Sequence, residues 1–182
     1  MKRLLLILSC IALFAQAAVA QKYMTRTGKI TFFSATPLEN IEAFNNEVAA
    51  VADAKSGEVI FQTPIKSFKF EKALMQEHFN ENYMESDKYP KAEFRGHISN
   101  VGAVNFGKDG TYNVTTTGKL TIHGVTRDVT VPGTIAIKGN EATISARFKV
   151  CATDYNIRIP ALVQGKIAKE IAITVNTILQ RR

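Results

Sequence analysis

The chain has 182 residues, 46% of them hydrophobic and 21% charged, and a formal net charge of +7. That balance excludes a disordered or low-complexity chain, and with only two cysteines a disulfide-stapled miniprotein is excluded as well. Basic residues come one or two at a time, with no run longer than pairs such as Arg181-Arg182, so the positive sign reads as a solvated surface and no nucleic-acid partner is predicted.

The first residues have the pattern of a secretory signal peptide. Lys2 and Arg3 precede an apolar run from Leu4 to Phe14, and Ala18-Val19-Ala20 forms a small-x-small cleavage site before Gln21. Residues 1–20 are therefore expected to be removed, leaving 21–182 as one periplasmic or secreted domain. Leu8-Ser9-Cys10 has a faint likeness to a lipoprotein box, but the apolar run continues past Cys10. No later segment approaches the ~20 uninterrupted apolar residues of a membrane-spanning helix. Processing leaves 21 basic and 16 acidic side chains, a net charge of +5, and Cys151 as a lone thiol without a disulfide partner.

Beyond Gln21 the dominant signal is period two. Ala92, Phe94, Gly96 and Ile98 alternate with Glu93, Arg95, His97 and Ser99, which describes a strand with one dry and one wet face. The pattern returns at Tyr112, Val114, Thr116, Gly118, Leu120 and Ile122, then at Ile144, Ala146, Phe148 and Val150, and last at Ile171, Ile173, Val175 and Thr177. Turn residues separate the runs, at Lys55-Ser56-Gly57, Phe106 to Gly110, His123-Gly124 and Lys138-Gly139-Asn140. About eight antiparallel strands are predicted, at 28–35, 46–54, 57–70, 92–101, 111–122, 125–138, 141–153 and 168–180. Pro132-Gly133 is expected to mark a bulge or bend in the sixth. Two short helices are predicted between them. One starts at the capping arrangement Thr36-Pro37-Leu38-Glu39 and runs to about Asn45; the other covers Glu71 to Tyr83, pairing Leu74 with His78 and Met75 with Phe79.

Strands dry on one side fold either as a sandwich or as a closed barrel, and closure alone removes both exposed edges. The fold class is therefore all-β, an eight-stranded antiparallel barrel with one or two short helices. An outer-membrane barrel shares the alternation, but this chain ends Leu179-Gln180-Arg181-Arg182 and contains no tryptophan for an aromatic girdle. The dry face mixes small residues with large ones, a composition that fits an open lumen and a tapered packed one equally. The inward apolar candidates for ligand contact are Phe32, Phe94, Ile98, Tyr112, Val114, Leu120, Ile122, Val129, Ile144, Phe148, Ile173 and Val175, with the Tyr112 hydroxyl available to a polar head group.

Catalytic chemistry has no visible constellation. His123 sits on a tight reversal and reads as structural; His78 and His97 fall on the second helix and on a wet face. No metal-ligand spacing links the three histidines. Asp87 and Asp154 read as turn residues, and no Gly-x-Ser-x-Gly or phosphate-binding loop is present. No enzyme, no metal and no obligatory cofactor are predicted.

Two segments resemble a known family. Asp87-Lys88-Tyr89-Pro90-Lys91-Ala92-Glu93-Phe94 resembles the "D…KYP…F" stretch of the YceI-like proteins. Gly118-Lys119-Leu120-Thr121-Ile122-His123-Gly124-Val125-Thr126-Arg127-Asp128-Val129 resembles their "G-x-LTIHGVT-(K/R)-x-V" hairpin. The opening around Phe32 to Ile41 departs from the family's usual "HS-x-V-x-F". The resemblance implies a lipocalin-like barrel whose apolar tunnel binds a polyisoprenoid or isoprenoid quinone in the periplasm. The alternative is a packed barrel acting through its outer surface as an interaction or stress-associated module, and the wet face leaves room for a homodimer.

Overall fold

The computed structural model describes residues 21–182, and the expected signal peptide lies outside the described residues. The chain forms β1 (Lys22–Ala35), β2 (Asn40–Asp53), β3 (Glu58–Pro64), a two-residue β4 (Lys69–Phe70), α1 (Ala73–His78) continued by a π-helical turn at Phe79–Tyr83, β5 (Lys91–Ile98), β6 (Gly110–Ile122), β7 (Val125–Lys138), β8 (Glu141–Cys151) and β9 (Glu170–Arg181). Pairing runs β1-β9-β8-β7-β6-β5-β3-β2, and β2 pairs again with β1, so eight antiparallel strands close into a barrel with β4 attached outside the circuit on β2.

Because every barrel strand pairs with its neighbour in the meander, the connectors divide into two sets. One end of the barrel holds both described termini, the β2–β3 turn, the β5–β6 connector and the β7–β8 turn. The other holds the Thr36–Glu39 turn, residues 65–90, the His123-Gly124 hairpin and residues 152–169.

The first end is packed solid. Tyr23, Ala50, Ala52, Val59, Ile98, Val114, Ile135, Ile137, Ala142 and Leu179 are buried there. The β5–β6 connector folds back beneath them, bringing Val104 and Phe106 into the same cluster. The Tyr23 hydroxyl donates to the Phe106 carbonyl at 3.4 Å, with the two rings 5.6 Å apart.

The predicted helix at 36–45 is instead a tight reversal into β2. The Thr36 hydroxyl does accept from the Glu39 amide at 3.0 Å, as a cap would, but the Thr36 amide also donates to the Glu39 carbonyl at 3.0 Å and turns the chain back. One short α-helix remains, inside the second predicted helical stretch. Strand β1 starts at Lys22 and is longer than the predicted 28–35, while the run 57–70 breaks after Pro64 into a 3-10 turn at Ile65–Ser67.

Pro132-Gly133 differs from expectation in an informative way. Both residues pair in unbroken register with β6, opposite Thr115 and Val114, so no bulge interrupts that ladder. The ladder between β7 and β8 ends there instead: it runs from Lys138 opposite Glu141 to Gly133 opposite Ala146 and no further. Proline has no amide hydrogen to continue it. The first half of β7 therefore separates from the last residues of β8, and the wall has a seam.

Candidate functional site

Between the packed end and the second set of connectors lies a cavity of about 590 Å³. Its wall is built by period two: the inward positions of β5, β6, β7, β8 and β9 supply an apolar lining, and the outward positions carry charged groups such as Lys119, Asp128 and Lys149. Of the residues singled out from sequence, Phe32, Phe94, Ile98, Val114, Leu120, Ile122, Val129, Ile144, Phe148, Ile173 and Val175 all line this space. Tyr112 does not. It packs against the solid end, and its hydroxyl donates to the Lys108 carbonyl at 3.0 Å, so it faces no head group.

Hollowness has a local cause in the small residues. Gly96 and Gly118 stand opposite each other on β5 and β6, so close that a Cβ on Gly118 would lie 2.4 Å from the Gly96 Cα. A Cβ on Gly96 would meet the Phe94 ring at 2.5 Å, because that ring lies back along the wall over the glycine. Gly133 and Ala146 form a second small pair on β7 and β8. Where large side chains would have met across the axis, space remains.

Toward the open end, aromatic residues that strand periodicity does not reveal close round the mouth. Phe32 of β1 contacts Phe68, Phe70 and Phe79 with ring centroids 5.5 to 5.6 Å apart, and Phe70 and Phe79 lie 5.0 Å apart. These come from the 3-10 turn, β4 and the helix, which hold the cluster over the lumen. The Met75–Phe79 spacing was visible in the sequence; Phe68 and Phe70 belonged to a run predicted as strand. Ile157, Ile159, Val163 and Ile167 of the β8–β9 connector also line the cavity and had no periodic signal. Polar groups at the mouth are few: Lys72 and Glu39, which pair at 3.5 Å, together with His78, Tyr83 and Lys166.

The seam between β7 and β8 is filled by the same connector. Ala152, Tyr155 and Ile157 are buried with Val125, Val129, Phe148 and Val150. Arg127 Nε donates to the Asp154 carbonyl at 3.0 Å. His123, 9% exposed, holds the segment from the other side. Its Nδ1 donates to the Tyr155 carbonyl at 3.2 Å, its Nε2 lies 2.7 Å from Glu85 Oε2, and the Tyr89 ring packs edge-on at 4.4 Å. The His123-Gly124 pair takes φ of 50° and 74°, the mirror-image turn that suits a two-residue hairpin. One imidazole thus ties together the hairpin, the 84–90 loop and the seam segment.

His78 lies at the mouth and His97 on the outer face of β5, far from His123 in the topology. No group of three or more His, Cys, Asp or Glu side chains suited to a metal ion occurs among the described residues. The acid most displaced from ordinary behaviour is Glu93, on the outer face of β5. The Arg95 guanidinium, then the Gln62 amide and the Lys91 ammonium, hold its carboxyl down to about 2. That is a surface charge network and not an acid–base pair. No helix among the described residues is long and apolar enough to cross a membrane.

An antiparallel barrel packed at one end, with an apolar lumen that opens at the other, defines the class: a hollow up-and-down β-barrel of lipocalin-like build. Within it, the chain belongs to the YceI-like domain family, whose model matches residues 17–179. Three solved structures share the fold. A polyisoprenoid-binding domain from Saccharophagus degradans, implicated in plant cell wall breakdown, superposes with a TM-score of 0.78 at 11% identity, covering 90% of this chain and 99% of that one. BcnA from Burkholderia cenocepacia gives 0.67 at 23% identity, covering 83% and 95%. The YceI protein of Campylobacter jejuni gives 0.60 at 16%, covering 77% and 84%. Comparison with curated protein sequences gives no match.

Proposed function

We propose that this chain is an exported binding protein that holds a polyisoprenoid or an isoprenoid-quinone-like lipid in the barrel lumen, for carriage or sequestration. The observation that carries the reading is the cavity of about 590 Å³, lined almost wholly by apolar side chains and open at one end. Its size lies within the ~300–1,000 Å³ usual for small-molecule sites. A packed interaction module would have no use for such a space. The polyisoprenoid-binding domain with the same fold supports the choice of ligand. Export rests on the pattern of Lys2 to Ala20.

The physics suits a long apolar chain. Burying a few hundred Å² of ligand surface at ~25 cal/mol per Å² supplies several kcal/mol before ordering costs, without a charged contact. A flexible tail bends to follow the wall, and the aliphatic lining offers it no directional demand. The binding reading is supported by the family and by the mostly apolar lining.

The test is native mass spectrometry of the purified protein, followed by delipidation and titration with a long-chain quinone. Recovery of an isoprenoid lipid, or saturable one-to-one uptake, supports the reading. Neither recovery nor uptake by protein that remains folded refutes it. Phe148→Arg places a charge in the dry lumen and should abolish uptake; circular dichroism shows whether the barrel survives the change.

A further inference from the structure

The segment from Arg158 to Lys169 roofs one side of the cavity mouth, and its two faces differ in kind. Ile159, Val163 and Ile167, spaced four apart, turn inward and line the cavity. Arg158, Leu162 and Lys169 are exposed on the outside, and Lys166, also exposed, stands at the cavity edge between the two faces. Leu162 is 93% exposed, which is unusual for a leucine on a chain that has a large apolar cavity available to it. The twelve residues contain no acid, and none of the three cations has an ion-pair partner among the described residues.

A second exposed leucine joins the first. Leu38, at the tip of the β1–β2 turn, is 72% exposed, and its Cδ1 would lie 3.1 Å from a Cβ placed on Gly165. Two connectors from opposite ends of the sequence therefore meet at Leu38 and Gly165, three residues from Leu162, and Lys166 without an ion-pair partner follows directly. Across the mouth, α1 exposes Leu74 as well, but among Glu71, Lys72 and Glu77, so its surroundings carry no excess of positive charge.

We infer that the Leu38–Leu162 rim, with Arg158, Lys166 and Lys169, is a docking surface for an anionic lipid bilayer. The charge is complementary to acidic headgroups, the leucines reach the acyl boundary, and the surface is continuous with the cavity through the thickness of one peptide segment. Contact with a bilayer on the outer face of that segment draws on the same residues whose inner face confines the lumen. Docking therefore places the mouth where an apolar ligand can pass without crossing water. This rests on the lumen reading for its purpose, but the binding itself requires no isoprenoid.

The barrel, residues 21–182, is sedimented with sucrose-loaded vesicles of phosphatidylcholine alone or of phosphatidylcholine and phosphatidylglycerol in equal parts, with no isoprenoid present. Binding to the anionic vesicles, weakened by salt, is expected, with little binding to the neutral ones. Leu162→Ser should weaken it about tenfold, from the apolar area withdrawn. Lys166→Glu with Lys169→Glu should weaken it more than about 25-fold, since each basic residue near such a surface contributes about fivefold. Leu74→Ser should change it less than about twofold. No binding to anionic vesicles, or binding that ignores Leu162→Ser, overturns the proposal. Uptake of a quinone delivered from detergent is measured on the same variants. A parent protein that takes up quinone and ignores vesicles refutes docking and leaves the lumen reading intact; one that binds vesicles and takes up nothing does the reverse.

Discussion

Ala146→Leu separates a hollow barrel from a filled one by the sign of its effect. Ala146 stands mid-strand in β8, opposite Gly133 of β7 and Val175 of β9, with its methyl group on the cavity wall. In a packed interior, extra carbons at such a position cost ~1–3 kcal/mol through forced rotamers and backbone shifts. Here they extend into a space of about 590 Å³. Three further carbons removed from water contribute ~0.8 kcal/mol each. Ordering the side chain returns ~0.5–1 kcal/mol of that. The delipidated variant should therefore be about 1–2 kcal/mol more stable than the parent, a rise of a few degrees in Tm for a domain of this size. The same group occupies the path of the ligand, so affinity for a long-chain quinone should fall about tenfold. Calorimetry of the delipidated protein and a fluorescence-quenching titration measure the two effects. A variant with a lower Tm and unchanged affinity would refute the hollow lumen. Leu179→Ala, at a fully buried position in the packed end that does not line the cavity, is the control: it should cost ~2–5 kcal/mol and leave affinity nearly untouched.

Gly118→Ala puts a methyl group 2.3 Å from the Arg95 carbonyl oxygen and 2.4 Å from the Gly96 Cα, and since both are backbone atoms, β5 and β6 must part. A loss of about 2 kcal/mol or more in urea unfolding is expected, and parental stability would contradict the close approach. His123→Asn keeps a residue tolerant of positive φ but gives up the bonds to Tyr155 and Glu85. It should cost ~1–3 kcal/mol and raise hydrogen exchange across residues 152–157 above the rest of the barrel; uniform exchange would show that the imidazole does not pin the seam segment. Glu93 has a folded pKa of about 2 against an ordinary 4.5, so its stabilisation is present above about pH 4.5 and is lost as pH falls toward 2. The advantage of the parent over Glu93→Gln, about 1 kcal/mol at neutral pH for a partly solvated network, should shrink across that window in acid titrations followed by circular dichroism. A pH-independent difference would mean the ion pairs contribute nothing.

The cavity wall was readable because a strand maps sequence parity onto one face, so that identifying Phe94 as inward also places Ile98 beside it. The first half of strand β2, Asn40 to Asn45, escaped for a physical reason. The strand's buried positions are Ala43 and Asn45, then Val48, Ala50 and Ala52, so parity changes across the register shift opposite Gly28. Small or polar residues fill the inward sites, and Asn45 is satisfied by bonding to the Pro64 carbonyl and the Glu47 amide. A capping signal then prevailed at Thr36, where the hydroxyl serves a turn. Tyr112 shows the converse limit. Its parity is right, but parity says nothing of height along the barrel axis, and the β5–β6 connector occupies its end. The connectors that shape the mouth have no strand-like alternation, which is why Phe68, Ile157 and Val163 could be placed only by the fold.

That division also bears on selectivity. Dispersion contacts with the aliphatic wall add up with ligand length but discriminate poorly between one branched hydrocarbon and another, since an added methylene is worth only ~0.8 kcal/mol. The packed end, stoppered by Phe106 and Val104, sets how far a tail can reach and so acts on length alone. Discrimination between head groups on the proposed reading must come from the mouth, where Glu39, Lys72, His78, Tyr83 and Lys166 are the polar side chains at the opening. Lys72 is already engaged by Glu39, so a head group that recruits it must compete with a carboxylate 3.5 Å away. Lys166 has no such competitor among the described residues, and it lies on the segment whose Ile159, Val163 and Ile167 line the cavity. Affinity in this barrel therefore belongs to the strands and choice to the connectors, and substitutions in the two sets should change different columns of the same ligand panel.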